Sequence, residues 1–216
     1  MFGYDAGMAQ RRHHYERGLE SYLRARRVPY VAVNEAKKTL LPGGAAPTTH
    51  DGSGRRALKG FDFVIYGEDT NLLIEAKGRR LPRLRRKDGT PAKARLQSWV
   101  TREDVEALRT WGGLFGAGYE PAFVFVYWCD DAPPDGLFSE VFEHEGRWYT
   151  LRTLSLEDYE AHMRTRSPKW GTVDLPSAAY ERLWRRLVAD TEPTMLRTGP
   201  DAAIEPVAWR EHASAP

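Results

Sequence analysis

The sequence predicts an α/β fold in which a helix, three strands, a second helix and a fourth strand follow one another. Three observations predict it: an amphipathic pattern over residues 9–27, two apolar runs that flank a turn within residues 59–78, and a second amphipathic stretch ahead of the apolar run 121–129. With 216 residues, 41% hydrophobic and 29% charged, the chain is long enough to form one globular domain with a proper core.

The first helix is predicted from four apolar residues on one face of a 3.6-residue repeat, Tyr15, Leu19, Tyr22 and Leu23. Glu16 and Glu20 lie four residues apart beside this stripe, so either carboxylate can reach a site on the buried side. For each glutamate taken alone, a solvated charge is the more common role. Pro29 ends the helix, and residues 30–33 are predicted to form the first strand.

A hairpin is predicted within residues 59–78, after a loop without packed structure between Leu41 and Lys59. Asp62 lies in the first apolar run of this hairpin, and the second run leads into Glu75 and Lys77. Because side chains alternate between the faces of a strand, Glu75 and Lys77 point the same way and interrupt an otherwise apolar strand. Such charges are costly unless they are paired, solvated or bound to an ion.

The most basic segment of the chain, residues 78–95, follows the hairpin and contains eight Lys or Arg residues against one Asp. A solvated surface loop is the simplest interpretation, but the position directly after Lys77 favours contacts with nucleic-acid phosphates. The predicted contact residues are Arg79, Arg80, Arg83, Arg85, Arg86, Lys87, Lys93 and Arg95.

The rest of the chain is predicted to form a helix over 97–114, a central strand buried on both faces over 121–129, a hairpin over 137–151, and helices over 155–164 and 177–190. We therefore expect a core over residues 9–152, a helical extension packed on it over 153–190, and a loosely ordered tail over 191–216. Basic and aromatic residues between Arg164 and Arg186, including Trp170, either extend a nucleic-acid surface or, more simply, form a helix with a solvated basic face.

Composition excludes several classes of protein. The single cysteine, Cys129, rules out an intramolecular disulfide and a cysteine-based zinc cluster, and it fits a reducing cytoplasm. No apolar run approaches the roughly 20 residues of a membrane helix. We expect a cytoplasmic protein with no membrane partner.

The order of elements, with Glu16 on the first helix, Asp62 on the second strand and Glu75-x-Lys77 on the third, resembles the PD-(D/E)XK nuclease superfamily over roughly residues 9–129. This resemblance implies a restriction-endonuclease-like fold with a mixed central sheet flanked by helices. It also implies that Asp62 and Glu75 hold a divalent metal, that Lys77 works beside the scissile phosphate, and that Glu16 is an auxiliary acid. Hard oxygen ligands select Mg²⁺ or Mn²⁺, and the backbone carbonyl of Ala76 is a candidate further ligand.

Two departures from the family pattern are visible. Gly60 and Phe61 precede Asp62, where the name of the family places a proline. Gln97 matches a glutamine that opens the next helix in some branches, but Thr101 stands where those branches have an aromatic residue.

Three hypotheses follow. The first is a Mg²⁺-dependent endonuclease that acts on DNA with Asp62, Glu75, Lys77 and the auxiliary Glu16. The second is a catalytically inactive module that keeps the fold and binds nucleic acid or protein. In the third, Glu75 and Lys77 form only a structural ion pair, which a position of Asp62 on the opposite face would favour. The substrate and the oligomeric state stay open, and cutting both strands of a duplex would suggest a homodimer.

Overall fold

A computed structural model describes residues 6–33, 48–51, 54–81, 95–129, 138, 140–187 and 194–198. The helices in these ranges are α1 (Ala6–Ala25), α2 (Arg102–Phe115), α3 (Leu156–His162) and α4 (Ser177–Leu183). The strands are β1 (Tyr30–Ala32), β2 (Thr48–Asp51), β3 (Gly54–Ala57), β4 (Phe63–Ile65), β5 (Asn71–Arg80), β6 (Val100–Thr101), β7 (Tyr119–Cys129), β8 (Glu140–His144), β9 (Arg147–Ser155), β10 (Arg164–Ser167), β11 (Thr172–Asp174) and β12 (Thr194–Thr198).

The main sheet is mixed and has the strand order β1-β4-β5-β7-β9-β8-β12. Strands β5 and β7 are parallel, as are β8 and β12, and the other neighbours are antiparallel. The parallel pairing of β5 with β7 requires a crossover connection, which α2 supplies. Apart from β2, β3 and β6, which lie outside this sheet, the chain follows the order α1–β1–β4–β5–α2–β7. This order and the mixed sheet flanked by helices confirm the predicted fold class, a restriction-endonuclease-like αβββαβ core.

Strand β7 lies at the centre of the sheet and is buried on both faces, as predicted. Phe123 and Phe125 belong to the hydrophobic cluster on one face, whereas Val124 and Val126 belong to the cluster on the other. The first cluster includes residues of α2, α3 and α4, and the second includes the apolar stripe of α1. The helices therefore cover opposite faces of one sheet, and each face has its own core.

Two sequence predictions around the hairpin are wrong. Part of the predicted loop between Leu41 and Lys59 forms the two-stranded sheet of β2 and β3, in which Asp51 pairs with Gly54. The Gly-rich composition that suggested a loop also suits the short connection of a hairpin. Helix α2 begins at Arg102 and not at residue 97, because Val100 and Thr101 pair with β11 and Thr101 caps the helix.

The region after residue 152 contributes to the main core. The predicted boundary at residue 152 falls inside β9, and the core cluster on the α2 side includes Leu154, Tyr159, Val173 and Tyr180. Strands β10, β11 and β6 form a separate three-stranded sheet in a region expected to be helical. Helix α4 ends at Leu183 rather than at residue 190, since the chain then pairs with β9 through Thr153 and Arg185.

The stretch predicted to be a loosely ordered tail contains β12, which pairs in parallel with β8. Strand β8 is otherwise an edge with unpaired backbone groups, and such an edge readily accepts another strand. Residues 191–193 and 199–216 lie outside the described residues. Within the described part of the chain, no helix has both the length and the apolar character that crossing a membrane requires.

Candidate active site

Asp62 and Glu75 lie side by side where β4 meets β5. Phe63 pairs with Ile74 in the antiparallel register, and the Asp62 backbone N–H donates to the Ile74 carbonyl over 2.9 Å. The sequence predicted that Asp62 lies within this strand. In the structure Asp62 directly precedes β4. Because Phe63 and Ile74 face the α1 side, alternation turns Asp62 and Glu75 to the other face, towards α2. A position of Asp62 on the opposite face would have favoured the hypothesis of a purely structural ion pair, and the structure does not place Asp62 there.

The Asp62 carboxylate is held against β5 by the backbone. Its Oδ2 accepts a hydrogen bond from the Ala76 N–H over 2.8 Å. Burial raises the pKa of Asp62 well above its ordinary value, and the Glu75 carboxylate raises it further. Burial also raises the pKa of Glu75, against the opposing effect of Lys77. Two neighbouring carboxylates on one face thus disfavour each other's charged form.

Lys77 is held by two acids. Its Nζ lies 2.6 Å from Glu75 Oε1 and 2.9 Å from Asp104 Oδ2. An ammonium group has three N–H donors, so one of them has no carboxylate partner among the described residues. Only 15% of the Lys77 side chain is exposed, and its two carboxylate partners hold the ammonium group in place. The arrangement leaves one N–H available for a water or a phosphate oxygen.

Asp104 on α2 is a site residue that the sequence analysis missed. Its carboxylate accepts from Lys77, from Lys59 and from the backbone N–H of Thr101, and its side chain is only 2% exposed. Burial raises the pKa of Asp104, but Lys77, Lys59 and the Thr101 N–H outweigh it and lower the pKa to about 2. Asp104 therefore stays charged and anchors both lysines.

A sequence signal for Asp104 was present. Thr101-x-x-Asp104 ahead of an apolar stretch is a capping box, in which Thr101 Oγ1 accepts from the Asp104 N–H and Asp104 accepts from the Thr101 N–H. Recognising it would have placed the helix start correctly and put an acid in the first turn. It would not have predicted the bonds to Lys59 and Lys77, which join residues far apart in the sequence.

Glu16 lies near the site, whereas Glu20 does not. The charge of the half-buried Glu16 contributes to the raised pKa of Asp62, after burial and Glu75. Glu20 instead accepts from Arg24 over 2.7 Å and from the Tyr30 hydroxyl over 3.2 Å. The sequence left the choice between the two glutamates open, and the structure places Glu16 closer to the predicted carboxylates.

Helix α1 approaches β5 closely at Gly78, next to Lys77. A Cβ atom at Gly78 would lie 2.1 Å from the Tyr15 ring. The absence of a side chain at position 78 therefore lets Tyr15 pack directly on the strand. Since Glu16 follows Tyr15, this contact also fixes the part of α1 that carries Glu16 relative to β5.

The described side chains do not include a group of three or more His, Cys, Asp or Glu residues placed to hold a metal ion. Among the predicted ligands, Asp62 and Glu75 are brought together, and Glu16 does not complete a three-carboxylate cluster with them. Asp62 has no ion-pair partner among the described residues, since its hydrogen bond comes from a neutral backbone N–H. In the described part of the chain, Lys59 and Lys77 form ion pairs with Glu75 and Asp104, so these two lysines balance two of the three negative charges that Asp62, Glu75 and Asp104 carry when ionised.

Three of the eight predicted nucleic-acid contacts lie among the described residues. Arg79 donates to the carbonyls of Gly78 and Trp99, and its guanidinium lies 3.9 Å from the centre of the Trp99 ring. Arg80 is exposed and lies over the Trp128 ring at 5.2 Å. Arg95 pairs with Asp174 over 3.0 Å. The other predicted contacts, Arg83, Arg85, Arg86, Lys87 and Lys93, lie outside the described residues.

Gln97 lies in the extended segment before β6 and does not open α2. Its side chain is exposed and accepts a hydrogen bond from the Trp99 indole over 3.2 Å. It lines a small cleft together with Arg95, Trp99 and Arg166. The predicted catalytic role of Gln97 remains a prediction, without a hydrogen bond to Asp62, Glu75 or Lys77 in the described residues.

No protein-family model matches the chain, and no curated protein sequence matches it. The structure is similar to that of Hjc, a Holliday junction resolvase from Archaeoglobus fulgidus, with 16% sequence identity, a TM-score of 0.43, and coverage of 78% of this chain and 91% of that chain. A likeness of this size carries no inference about the activity of this chain.

The donor atoms of Asp62, Glu75 and Lys77 indicate what the site can bind. Two adjacent carboxylates, one directly before β4 and one on β5, supply hard oxygen donors, and the Lys77 ammonium supplies a fixed positive donor two residues beyond Glu75. Mg²⁺ in proteins typically takes one or two carboxylates and keeps several waters, so Asp62 and Glu75 suffice without a third side chain. A divalent cation would also offset the excess negative charge. The donor set therefore fits a Mg²⁺ or Mn²⁺ ion.

Proposed function

We propose that this chain is a Mg²⁺- or Mn²⁺-dependent endonuclease of the PD-(D/E)XK type that hydrolyses phosphodiester bonds in DNA. The observation that carries the proposal is the arrangement of Asp62, Glu75 and Lys77 on one face at the β4–β5 edge. We also propose a cytoplasmic location, which suits a chain whose single cysteine cannot form an intramolecular disulfide.

The proposed metal ligands are the carboxylates of Asp62 and Glu75 and the backbone carbonyl of Ala76. When bound, the ion supplies positive charge that offsets the charge on the phosphate oxygens and activates water for attack. The hydrogen bond from the Ala76 N–H fixes one oxygen of Asp62, which leaves its other oxygen for the ion. Glu75 keeps Lys77 in contact and shares the same face.

Lys77 is proposed to bind the reacting phosphate or to orient the attacking water with its third N–H. Its position is set from two sides, by Glu75 on its own strand and by Asp104 on α2. A preorganised charged donor costs little reorganisation when charge develops, and removing one such donor typically lowers kcat by roughly 10²- to 10³-fold. Phosphoryl transfer depends mainly on positioning and electrostatics, which this cluster provides.

The proposal is tested by cleavage of plasmid DNA and of labelled single-stranded, duplex and branched oligonucleotides with Mg²⁺ or Mn²⁺. We expect Asp62→Asn and Lys77→Met to lower the rate by at least roughly 100-fold. Glu106→Ala is the matched control, because Glu106 is an exposed acid on α2 outside the cluster. Circular dichroism and urea unfolding confirm that each variant is folded.

Calorimetric titration with Mn²⁺ provides a second readout. We expect the wild-type protein and Glu106→Ala to bind Mn²⁺, and Asp62→Asn to bind it more weakly. Equal cleavage by the wild type and folded Asp62→Asn would contradict the proposed assignment. A wild-type protein that binds DNA but neither binds Mn²⁺ nor cleaves would instead be the catalytically inactive module.

A further inference from the structure

A cleft of about 420 Å³ lies over the small three-stranded sheet of β6, β10 and β11. This volume is within the range of roughly 300–1,000 Å³ that small-ligand sites occupy. The lining residues come from all three strands and from the chain next to them: Trp99, Thr101, Arg166, Ser167, Trp170 and Thr172. Of these six residues, only Thr101 contacts the cluster around Asp62 and Lys77, through the hydrogen bond from its N–H to Asp104.

Trp170 is the most exposed large hydrophobic residue described. It lies in the turn between β10 and β11, and 72% of its surface is accessible. Tryptophan is usually highly buried on average, so an indole presented to solvent at a cleft is an unusual placement. A flat ring of this kind offers a stacking surface to another planar group.

Positive charge surrounds the cleft. The Arg166 guanidinium lies 5.2 Å from the centre of the Trp99 ring, and Lys169 Nζ lies 5.6 Å from that of Trp170. Neither Arg166 nor Lys169 has a carboxylate partner in the described part of the chain. Ser167 and two threonines add hydroxyl groups. Aromatic rings combined with unpaired cations and hydroxyls match a nucleotide, which has a planar base and an anionic phosphate.

The cleft is linked directly to the candidate active site. Arg79 is two residues beyond Lys77 on β5, so the two side chains share a face and their Cα atoms are roughly 7 Å apart. The Arg79 guanidinium packs against the Trp99 ring and donates to the Trp99 carbonyl. A nucleic-acid strand with a phosphate at Lys77 can therefore place a neighbouring nucleotide in this cleft.

We propose that the cleft binds an unpaired DNA base close to the scissile phosphate, with the base stacked on Trp170 and the adjoining backbone near Arg166 and Lys169. A base within a duplex is already stacked between its neighbours and cannot lie on the indole. The cleft thus selects DNA with a single-stranded or unpaired segment. This inference rests on the proposed nuclease function and specifies its substrate.

The test measures binding of fluorescein-labelled DNA by anisotropy in EDTA, using a single strand, the matching duplex, and a duplex with an unpaired flap. Trp170→Ala should weaken binding of the single strand and the flap roughly five- to 150-fold, with little change for the duplex. Trp170→Phe should retain most of the affinity because it keeps an aromatic face. Arg166→Gln should weaken binding and reduce its salt dependence by roughly one counterion.

Tyr66→Ala is the matched control, because Tyr66 is an exposed aromatic residue at the far end of β4 with 41% of its surface accessible. It should bind all three DNAs as the wild type does. Unchanged single-strand and flap affinity in Trp170→Ala would overturn the cleft inference, as would an equal loss for the duplex. If either of these results is found but the wild type cleaves DNA and Asp62→Asn does not, the proposed nuclease function is still supported. A wild type that neither binds nor cleaves DNA would overturn both.

Discussion

Asp104 Oδ2 lies 2.9 Å from Lys77 Nζ and joins the first turn of α2 to the strand that carries the candidate active site. The same carboxylate caps its own helix and accepts from Lys59. One buried acid therefore determines the start of α2 and the position of a lysine on β5. The helix that covers the sheet also orients the site, so stability and activity should depend on the same side chain.

Asp104→Asn should lower both stability and activity. The asparagine keeps the size of the side chain but removes the buried negative charge that pairs with Lys59 and Lys77. We expect a loss of about 2 to 4 kcal/mol in the free energy of unfolding, measured with urea. Cleavage by the folded variant should fall mainly in kcat, because Asp104 positions Lys77 without touching the substrate.

Asp158→Asn is the matched control for this change. Asp158 occupies the corresponding place in the first turn of α3, where Ser155 Oγ accepts from its N–H over 3.1 Å, but it contacts no lysine in the described residues. Its partner Arg185 is 72% exposed, so the loss of stability should stay below about 1 kcal/mol. A kcat in Asp104→Asn as high as in this control would show that Asp104 does not position Lys77.

The stability of the protein should decrease at acidic pH because the pKa of Asp104 is lowered in the folded state. Its folded pKa of about 2 lies below the ordinary value of 3.8, so the folded state binds fewer protons between these values. The stabilisation is therefore fully present above pH 4 and is lost as the pH falls through about 2. The shift corresponds to about 2 kcal/mol, of which about 1 kcal/mol is lost by pH 3.

The measurement compares urea unfolding of the wild type and Asp104→Asn from pH 7 to pH 3. Asp62 and Glu75 have raised pKa values, which shift the stability of both proteins in the opposite direction. The difference in the free energy of unfolding between the two proteins therefore reports on Asp104 together with its effect on the pKa of Glu75. We expect the difference in the free energy of unfolding between the wild type and Asp104→Asn to become smaller as the pH falls. A difference that is constant over the range would contradict the lowered pKa.

The sequence predicted the parts of the site that depend on strand periodicity. Glu75 and Lys77 are two residues apart, so a correct strand assignment places them on one face. Asp62 is brought beside Glu75 by the antiparallel register of a short hairpin, which is also a local feature. Asp104 and Lys59 were missed because their bonds depend on how α2 packs against the sheet, and a single sequence contains no direct signal for that packing.

The three-stranded sheet was missed for a related reason. Its strands contain only two to four residues, and β6 pairs with β11 across more than 60 positions, as between Val100 and Val173. Such short segments have little periodicity of their own. The composition of residues 164–186 did indicate a basic and aromatic surface, but only the fold brings Trp170 to the same cleft as Trp99.

Glu16→Gln and Glu20→Gln should differ although both residues lie on α1. Glu16 acts electrostatically on Asp62, whereas Glu20 is engaged with Arg24 and Tyr30. As the proposed auxiliary acid, Glu16 would add negative charge that attracts a divalent cation, and losing a residue that supports a metal site typically costs roughly 10- to 100-fold in metal affinity or activity. We expect that loss for Glu16→Gln and little change for Glu20→Gln, measured by Mn²⁺ titration and by cleavage rate. Equal values for both variants would remove Glu16 from the site.

Gly78→Ala should disturb the contact between α1 and β5. The added Cβ would lie 2.1 Å from the Tyr15 ring, so the ring or the strand must move. Inserting a methyl group into a tight contact typically costs about 1 to 3 kcal/mol, and the movement should also lower cleavage because Lys77 precedes Gly78. Urea unfolding and the cleavage assay measure both effects.

Gly113→Ala is the matched control for Gly78→Ala, since a Cβ at Gly113 meets nothing within 4 Å and alanine suits the α2 helix. It should leave cleavage unchanged and raise stability by about 0.5 to 1 kcal/mol. Combining Gly78→Ala with Tyr15→Ala removes the clash, so the two stability losses should be less than additive. Additive losses would mean that Tyr15 does not oppose the new methyl group, and that the close approach of α1 does not require a glycine beside Lys77.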